Sequence, residues 1–283
     1  MSRMLIFGLG YSAGRIAERL RARSWTVTGT SRDGRAGTIA FDDTAAIRAA
    51  IDSASHVLVS IPPADDQDPV LACYGAVLDG ARDTQWVGYL SSTGVYGDAG
   101  GAWIDESSPT GTGRRSARAQ ADSAWLARGA RVFRLPGIYG PGRSAIDRVV
   151  AGRAHRIDLP GQVFSRVHVD DIVGGVEAGL AGPPGAYNLA DDHPCSQNDV
   201  IDFACRLAGL PRLPLLSIDA AGLSPMARGF YAENRRVANG KAKRVLGWKP
   251  AFPDYRAGLL ALSAITSPPI ASAAPAAASG DQR

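Results

Sequence analysis

The chain has 283 residues, 45% of them hydrophobic and 20% charged, with a formal net charge of +4. That apolar content suits one large or two modest globular domains and excludes low-complexity disorder over most of the length. Three cysteines with no Cys-x-x-Cys spacing argue against a disulfide scaffold or a structural zinc site, and no metal centre is expected. No apolar run approaches the ~18 residues of a membrane span, and the opening stretch is too short for a signal peptide. The expected location is therefore cytoplasmic. The arginines are dispersed among acids, which disfavours a nucleic-acid surface.

Short apolar runs alternate with helical patterns through the first half. Met4–Phe7 reads as a strand, Ser12–Arg23 as a helix, and Thr26–Thr30 and Thr38–Phe41 as strands. Ala45–Ile51 reads as a helix, His56–Ile61 as a strand, Pro69–Arg82 as a helix and Trp86–Leu90 as a strand. Ser116–Ala127 then reads as a helix and Arg131–Leu135 as a strand. This spacing implies βαβ units and a parallel sheet. Right-handed crossovers make it a doubly wound α/β sheet of the Rossmann type.

Beyond Pro136 glycine and proline are frequent. Phe164–Val169 and Ala186–Leu189 read as extended. Asp170–Leu180 and Gln197–Ala208 read as helical, with Asp170 placed as an N-cap. A last helix, Asp254–Ala264, follows Pro253. The expected division is a dinucleotide-binding domain over 1–138, a smaller C-terminal substrate lobe over 139–264 with strands returning to the sheet, and a disordered Ala/Ser/Pro tail over 265–283.

Gly8-Leu9-Gly10-Tyr11-Ser12-Ala13 directly follows the first strand and opens the first helix, a G-x-G-x-x-A turn in the context that dinucleotide binding requires. Gly8 permits the tight turn, Gly10 lets a pyrophosphate approach, and Ala13 lets the helix pack. The first amides of the helix, at Tyr11 and Ser12, then face the phosphates. An NAD site places an acid about 20 residues further on. Here Thr30, Ser31 and Arg32 stand there instead. Two hydroxyls and a guanidinium suit a 2′-phosphate, so NADP(H) is favoured. NAD(H) is the alternative, with Arg32 a solvated turn residue and Asp33 on the ribose. Asp42 is a candidate for the adenine amino group, and Ile61-Pro62 for the point where the sheet edge meets the cofactor.

Three further segments carry a resemblance. They are Ser91-Ser92-Thr93-Gly94-Val95-Tyr96-Gly97, Arg134-Leu135-Pro136-Gly137-Ile138-Tyr139-Gly140-Pro141-Gly142, and Arg166-Val167-His168-Val169-Asp170-Asp171. With the glycine turn, they resemble the motifs of the extended short-chain dehydrogenase/reductases, in their atypical, epimerase/dehydratase-like branch. Val245-Leu246-Gly247-Trp248-Lys249-Pro250 extends the likeness to about residue 250. The resemblance implies a nicotinamide cofactor contacted also by Ser91 and Pro136. It implies Ser92 as the residue that bonds the substrate oxygen, and a small polar substrate such as a sugar nucleotide. Arg143 and Arg166 would favour an anionic substrate. A homodimer is compatible with the family.

One part of the family pattern is missing. The usual base is Tyr-x-x-x-Lys, whose Lys lowers the Tyr pKa from about 10. Here Gly113 and Ala117 fall at those positions, and lysine occurs only as Lys241, Lys243 and Lys249. Arg115 or Arg118 could bond the ribose but cannot act as a base. Tyr96, Tyr139 and His168 remain as candidates for proton transfer. Two readings therefore stand: an NADP(H)-dependent oxidoreductase with an altered site, or a cofactor-binding sensor without turnover.

Overall fold

The computed structural model describes residues 2–64, 66–81, 84–112 and 116–266. In chain order the first half contains β1 (Arg3–Phe7), α1 (Tyr11–Ala22), β2 (Thr26–Ser31), β3 (Ile39–Ala40), α2 (Thr44–Ser53), β4 (His56–Val59), α3 (Pro69–Gly80), β5 (Trp86–Ser92), β6 (Trp103–Ile104), α4 (Ser116–Ala127) and β7 (Arg131–Leu135). The second half contains β8 (Gly137–Tyr139), α5 (Ala145–Val150), β9 (Arg156–Ile157), β10 (Arg166–His168), α6 (Val169–Gly179), β11 (Gly185–Asn188), α7 (Gln197–Leu207), β12 (Leu215–Leu216), α8 (Pro225–Tyr231), β13 (Arg236–Val237), α9 (Gly240–Leu246) and α10 (Tyr255–Thr266).

Seven parallel strands form the central sheet in the order β11-β7-β5-β4-β1-β2-β3. The order reverses between β1 and β4, which opens a crevice at the carboxyl ends of the strands. Side chains alternate across each strand. Met4 and Ile6 of β1 face a core that holds Ile16 and Leu20 of α1 and Ile172 and Val176 of α6. Leu5 and Phe7 face the opposite core, with Ile47 and Ile51 of α2, Tyr74 of α3 and Trp125 of α4. This is the doubly wound sheet expected from the alternation of runs. A third core, built by α5, α7 and α10, holds the lobe beside the crevice.

Several elements differ from the sequence reading. The third strand pairs only over Ile39–Ala40, and the fourth ends at Val59, before Ile61. β8 was not foreseen; it pairs with β10 in a two-stranded ribbon. Asp170 is not the cap of α6: the His168 Nδ1 accepts the Asp170 N–H at 3.2 Å, and Asp170 lies inside the first turn. The last helix spans Tyr255–Thr266 where Asp254–Ala264 was expected, and the Asp254 carboxylate accepts the Ala257 N–H at 2.9 Å at its start. The tail from 267 onward, with Gly113, Arg114 and Arg115, lies outside the described residues.

α6 approaches the sheet through glycines. A Cβ on Gly179 would stand 2.5 Å from Phe133 Cζ, and one on Gly175 would collide with Leu189. The close approach also lets the Trp86 indole N–H donate to the Gly179 carbonyl at 2.9 Å. Gly179→Ala should lower the unfolding free energy by about 1–3 kcal/mol through overpacking, read from the urea midpoint of the full chain.

Candidate functional site

The turn between β1 and α1 is held by its backbone. Gly8 has φ +85°, and a Cβ there would stand 2.6 Å from Ile61 Cγ1. Its N–H donates to Thr30 Oγ1 at 3.0 Å, and the Leu9 N–H donates to the Thr30 carbonyl at 2.9 Å. Gly10 is the N-cap of α1, and no side chain caps this end. By contrast, a side chain caps each of α2, α3, α5, α6, α7 and α8. A Cβ on Gly10 would meet nothing within 4 Å, while Ala13 is fully buried against the sheet. The amino end of α1 thus offers open backbone donors and the positive end of the helix dipole.

This end opens into a cleft of about 1080 Å³. Gly10, Tyr11 and Ser12 line one side, Pro62 and Ser91–Ser92 the floor, and Pro136 and Arg143 the side toward the lobe. The Tyr11 hydroxyl donates to the Pro141 carbonyl at 3.0 Å, tying α1 to the loop after β8. Its ring lies between the guanidinium groups of Arg15 and Arg143, 5.9 and 5.6 Å from the ring centre.

The end of β2 divides the candidates for the ribose. Thr30 is fully buried and its hydroxyl accepts from Gly8, so it builds the turn and is not free for a ligand. Ser31 is bound into the following turn through Thr38 Oγ1 at 2.7 Å and the Arg35 N–H at 3.2 Å. Arg32, Asp33 and Asp42 are exposed, and Ser31 Oγ donates to Asp33 Oδ1 at 3.2 Å.

Ser92 ends β5 on the cleft floor, and its Oγ accepts the Gly94 N–H at 3.1 Å. Ser91 points the other way, donating to Asp122 at 2.6 Å. Asp122 and Arg134 form a buried two-bond ion pair, at 2.6 and 3.0 Å. Arg134 then donates to the Tyr96 hydroxyl at 2.9 Å, which donates to Asn188 Oδ1 at 2.8 Å. Tyr96 is therefore a member of a buried network, not a group facing the cleft. Burial raises its pKa to about 12 despite Arg134.

Tyr139 reaches the cleft wall, but its hydroxyl is seated against Gly258 and burial drives its pKa far above neutrality. The His168 ring is enclosed by Tyr139 and Phe252, with centroids 5.2 and 4.1 Å away, and it caps α6. Burial lowers its pKa. Neither geometry suits a base acting at Ser92.

Arg166 also turns inward. Its guanidinium donates to the carbonyls of Phe164 and Cys195 and to Gln197 Oε1, at 2.9, 3.3 and 3.2 Å. These bonds hold the lobe together and leave little for a substrate. Arg118 of α4 lines the same cleft as Ser92, while Ala117 in the family's lysine position carries no charge. Arg148, Arg153, His155 and Tyr231 line the lobe side and were not singled out from the sequence, where no motif marks them. Among the described residues, no group of three His, Cys, Asp or Glu is placed to hold a metal, and no helix is long and apolar enough to cross a membrane.

The chain is 43% identical to a conserved protein of unknown function from Silicibacter pomeroyi, with 94% of this chain and 99% of that one covered and a TM-score of 0.83. The chain belongs to the same family as that protein. No protein-family model matches it. It is also similar to a 3-diazoavenalumate denitrifying reductase from Streptomyces, 34% identical over 140 residues; the match spans 45% of each chain, so under half of that reductase's length. The human epimerase family protein SDR39U1, solved with NADPH, is 18% identical with a TM-score of 0.74 over 92% of this chain and 99% of that one. The fold is that of the extended, epimerase/dehydratase-like short-chain dehydrogenase/reductases.

Behind the cleft, two buried aspartates are held against ionisation. Burial raises Asp191 from 3.8 to about 7, against the pull of Arg166, and raises Asp171 from 3.8 to about 6. A raised carboxyl pKa favours the folded state at low pH and loses that contribution as pH climbs through the folded value. Wild-type stability should therefore fall between about pH 4 and pH 7. Asp191→Asn should flatten that slope in urea unfolding measured across the same range.

Proposed function

We propose that the protein is an NADP(H)-dependent oxidoreductase working as a reductase on a small anionic substrate. The observation that carries this is the uncapped amino end of α1 opening into the same cleft as Ser92 and Pro136. The open space at Gly10 and the free helix end fit a pyrophosphate. Gly8, Gly10, Tyr11, Ser12 and Ala13 would cradle it. Ile61 and Pro62 would border it, Arg32 would take the 2′-phosphate, and Pro136 would back the nicotinamide.

When bound, the dinucleotide supplies a hydride. Ser92 would donate a hydrogen bond to the substrate oxygen, and Arg118 would supply positive charge where the family has lysine. Alcohol oxidation needs a base, and the Tyr96 and Tyr139 hydroxyls are held far above the neutral range by burial. Reduction, with water as the proton source in an open cleft, suits these residues better. The partial relative named as a reductase supports the same direction.

A second reading has one observation in its favour. The sequence has Gly113 and Ala117 where the family has Tyr and Lys, which suits a sensor that binds the cofactor without turnover.

Fluorescence titration should show NADPH binding about tenfold or more tighter than NADH, the worth of one charged hydrogen bond. Arg32→Ala should erase the difference and leave NADH binding unchanged. Weak, equal binding of both by the wild type would remove the proposal. Ser92→Ala should cut NADPH oxidation against a carbonyl panel by about 10²-fold with cofactor affinity intact. Tight NADPH binding with no oxidation against any carbonyl compound or sugar nucleotide would favour the sensor.

A further inference from the structure

The turn that follows β8 is keyed to the first residue of α1. Gly140-Pro141-Gly142-Arg143 has the residues of a type II turn: proline presets φ at the second position, and Gly142 supplies φ +71° at the third. The Arg143 N–H closes the turn by donating to the Gly140 carbonyl at 3.0 Å. Three contacts then fix it on Tyr11. The Tyr11 hydroxyl donates to the Pro141 carbonyl at 3.0 Å. A Cβ on Gly140 would stand 2.6 Å from the same hydroxyl, so the tyrosine seats in the space that glycine leaves. The Arg143 guanidinium lies over the ring, 5.6 Å from its centre.

The two cations on that ring differ in their partners. Arg15 pairs with Asp170 at 3.0 Å. Among the described residues no carboxylate lies within ion-pair distance of Arg143. Asp147, the acid on the same wall of the cleft, is engaged in the cap of α5, where its Oδ2 accepts the Ser144 N–H at 2.7 Å and the Ser144 hydroxyl at 2.8 Å. The first turn of α1 contributes no acid either. A guanidinium held over the first residue of a helix stands at the positive end of its dipole, where a cation is disfavoured. Gly10, Tyr11, Ser12 and Arg143 line one cleft, so an anion there would relieve both positive charges at once.

We propose that Arg143 is a cofactor ligand supplied by the lobe. Its guanidinium takes the dinucleotide's pyrophosphate from the side opposite the α1 amides, and Tyr11 is the residue that positions it. This rests on the cleft's assignment as a dinucleotide site. It divides the work between two arginines: Arg32 reads the 2′-phosphate, which only NADP(H) carries, and Arg143 reads the pyrophosphate, which both cofactors carry.

Fluorescence titration of the full chain with NADPH and with NADH tests this. Arg143→Gln should weaken both by the same factor, about tenfold, as expected for loss of a charge-assisted bond. It should also flatten the salt dependence of both affinities, which a merely structural role would not change. Arg143→Lys should recover part of the loss. Tyr11→Phe keeps the ring and removes the bond to Pro141. It should weaken both cofactors by about threefold or more when Arg143 is present. On an Arg143→Gln background it should cost nothing further, because the tyrosine acts through the arginine. Arg143 is exposed on its turn, so the cofactor-free variants should melt at the wild-type temperature. Should the Gln variant fold poorly, the Lys variant, which keeps the charge, separates loss of fold from loss of the contact. Unchanged affinity for both cofactors in Arg143→Gln would overturn the proposal. A loss confined to NADPH would overturn it too, by placing Arg143 on the 2′-phosphate. An equal effect of Tyr11→Phe with and without Arg143 would remove the positioning role. Weak binding of both cofactors by the wild type defeats the dinucleotide reading itself, whereas tight wild-type binding that Arg143→Gln leaves intact defeats this inference alone.

Discussion

The architecture depends on the junction where β1 turns into α1. Gly8 occupies a left-handed conformation with Ile61 packed where a Cβ would stand, so the turn and the end of β4 define one another. Thr30 locks the turn from the other side by accepting the Gly8 amide. The strand order reverses at this point, and the helix end that results carries no side-chain cap. Asp, Ser or His side chains cap α2, α3, α6 and α7, whereas α1 and the short α9 start without one; at α1 the bare amino end opens onto the crevice.

The polar groups near the cleft fall into two populations. One is committed to the protein: the ion pair of Asp122 and Arg134, Tyr96 with Asn188, and Arg166 with the carbonyls of the lobe. These groups fix the ends of β5, β7 and β10, and breaking such a buried pair typically costs about 3–5 kcal/mol. The other population lines the cleft and includes Ser92, Arg118, Arg143, Arg148, Arg153 and His155. The division explains why residues with similar chemistry and similar positions in the motifs have different roles.

The alternation of apolar runs made the sheet legible, because a buried parallel strand needs a continuous apolar stretch and its helix a periodic one. The bounds of α4 and β7 were read directly from those patterns. The glycine turn was legible because few side chains tolerate its backbone. β8, β13 and α8 were not, since elements of two to seven residues leave too short a pattern and are held by distant partners. Thr30 shows the limit at the site itself. A hydroxyl at the end of β2 reads equally as a ribose ligand or a turn brace, and only the position of the Gly8 amide separates the two.

Gly258 has an effect out of proportion to its size. The Tyr139 hydroxyl occupies the place where any larger residue at 258 would project, and this lets α10 settle directly on the aromatic ring. Tyr255 and Leu259, on the same helix, form part of the cleft lining. The gape of the cavity is therefore metered by one absent methyl group: a bulkier residue there would lever the final helix outward and remodel the mouth without touching any residue of the chemistry.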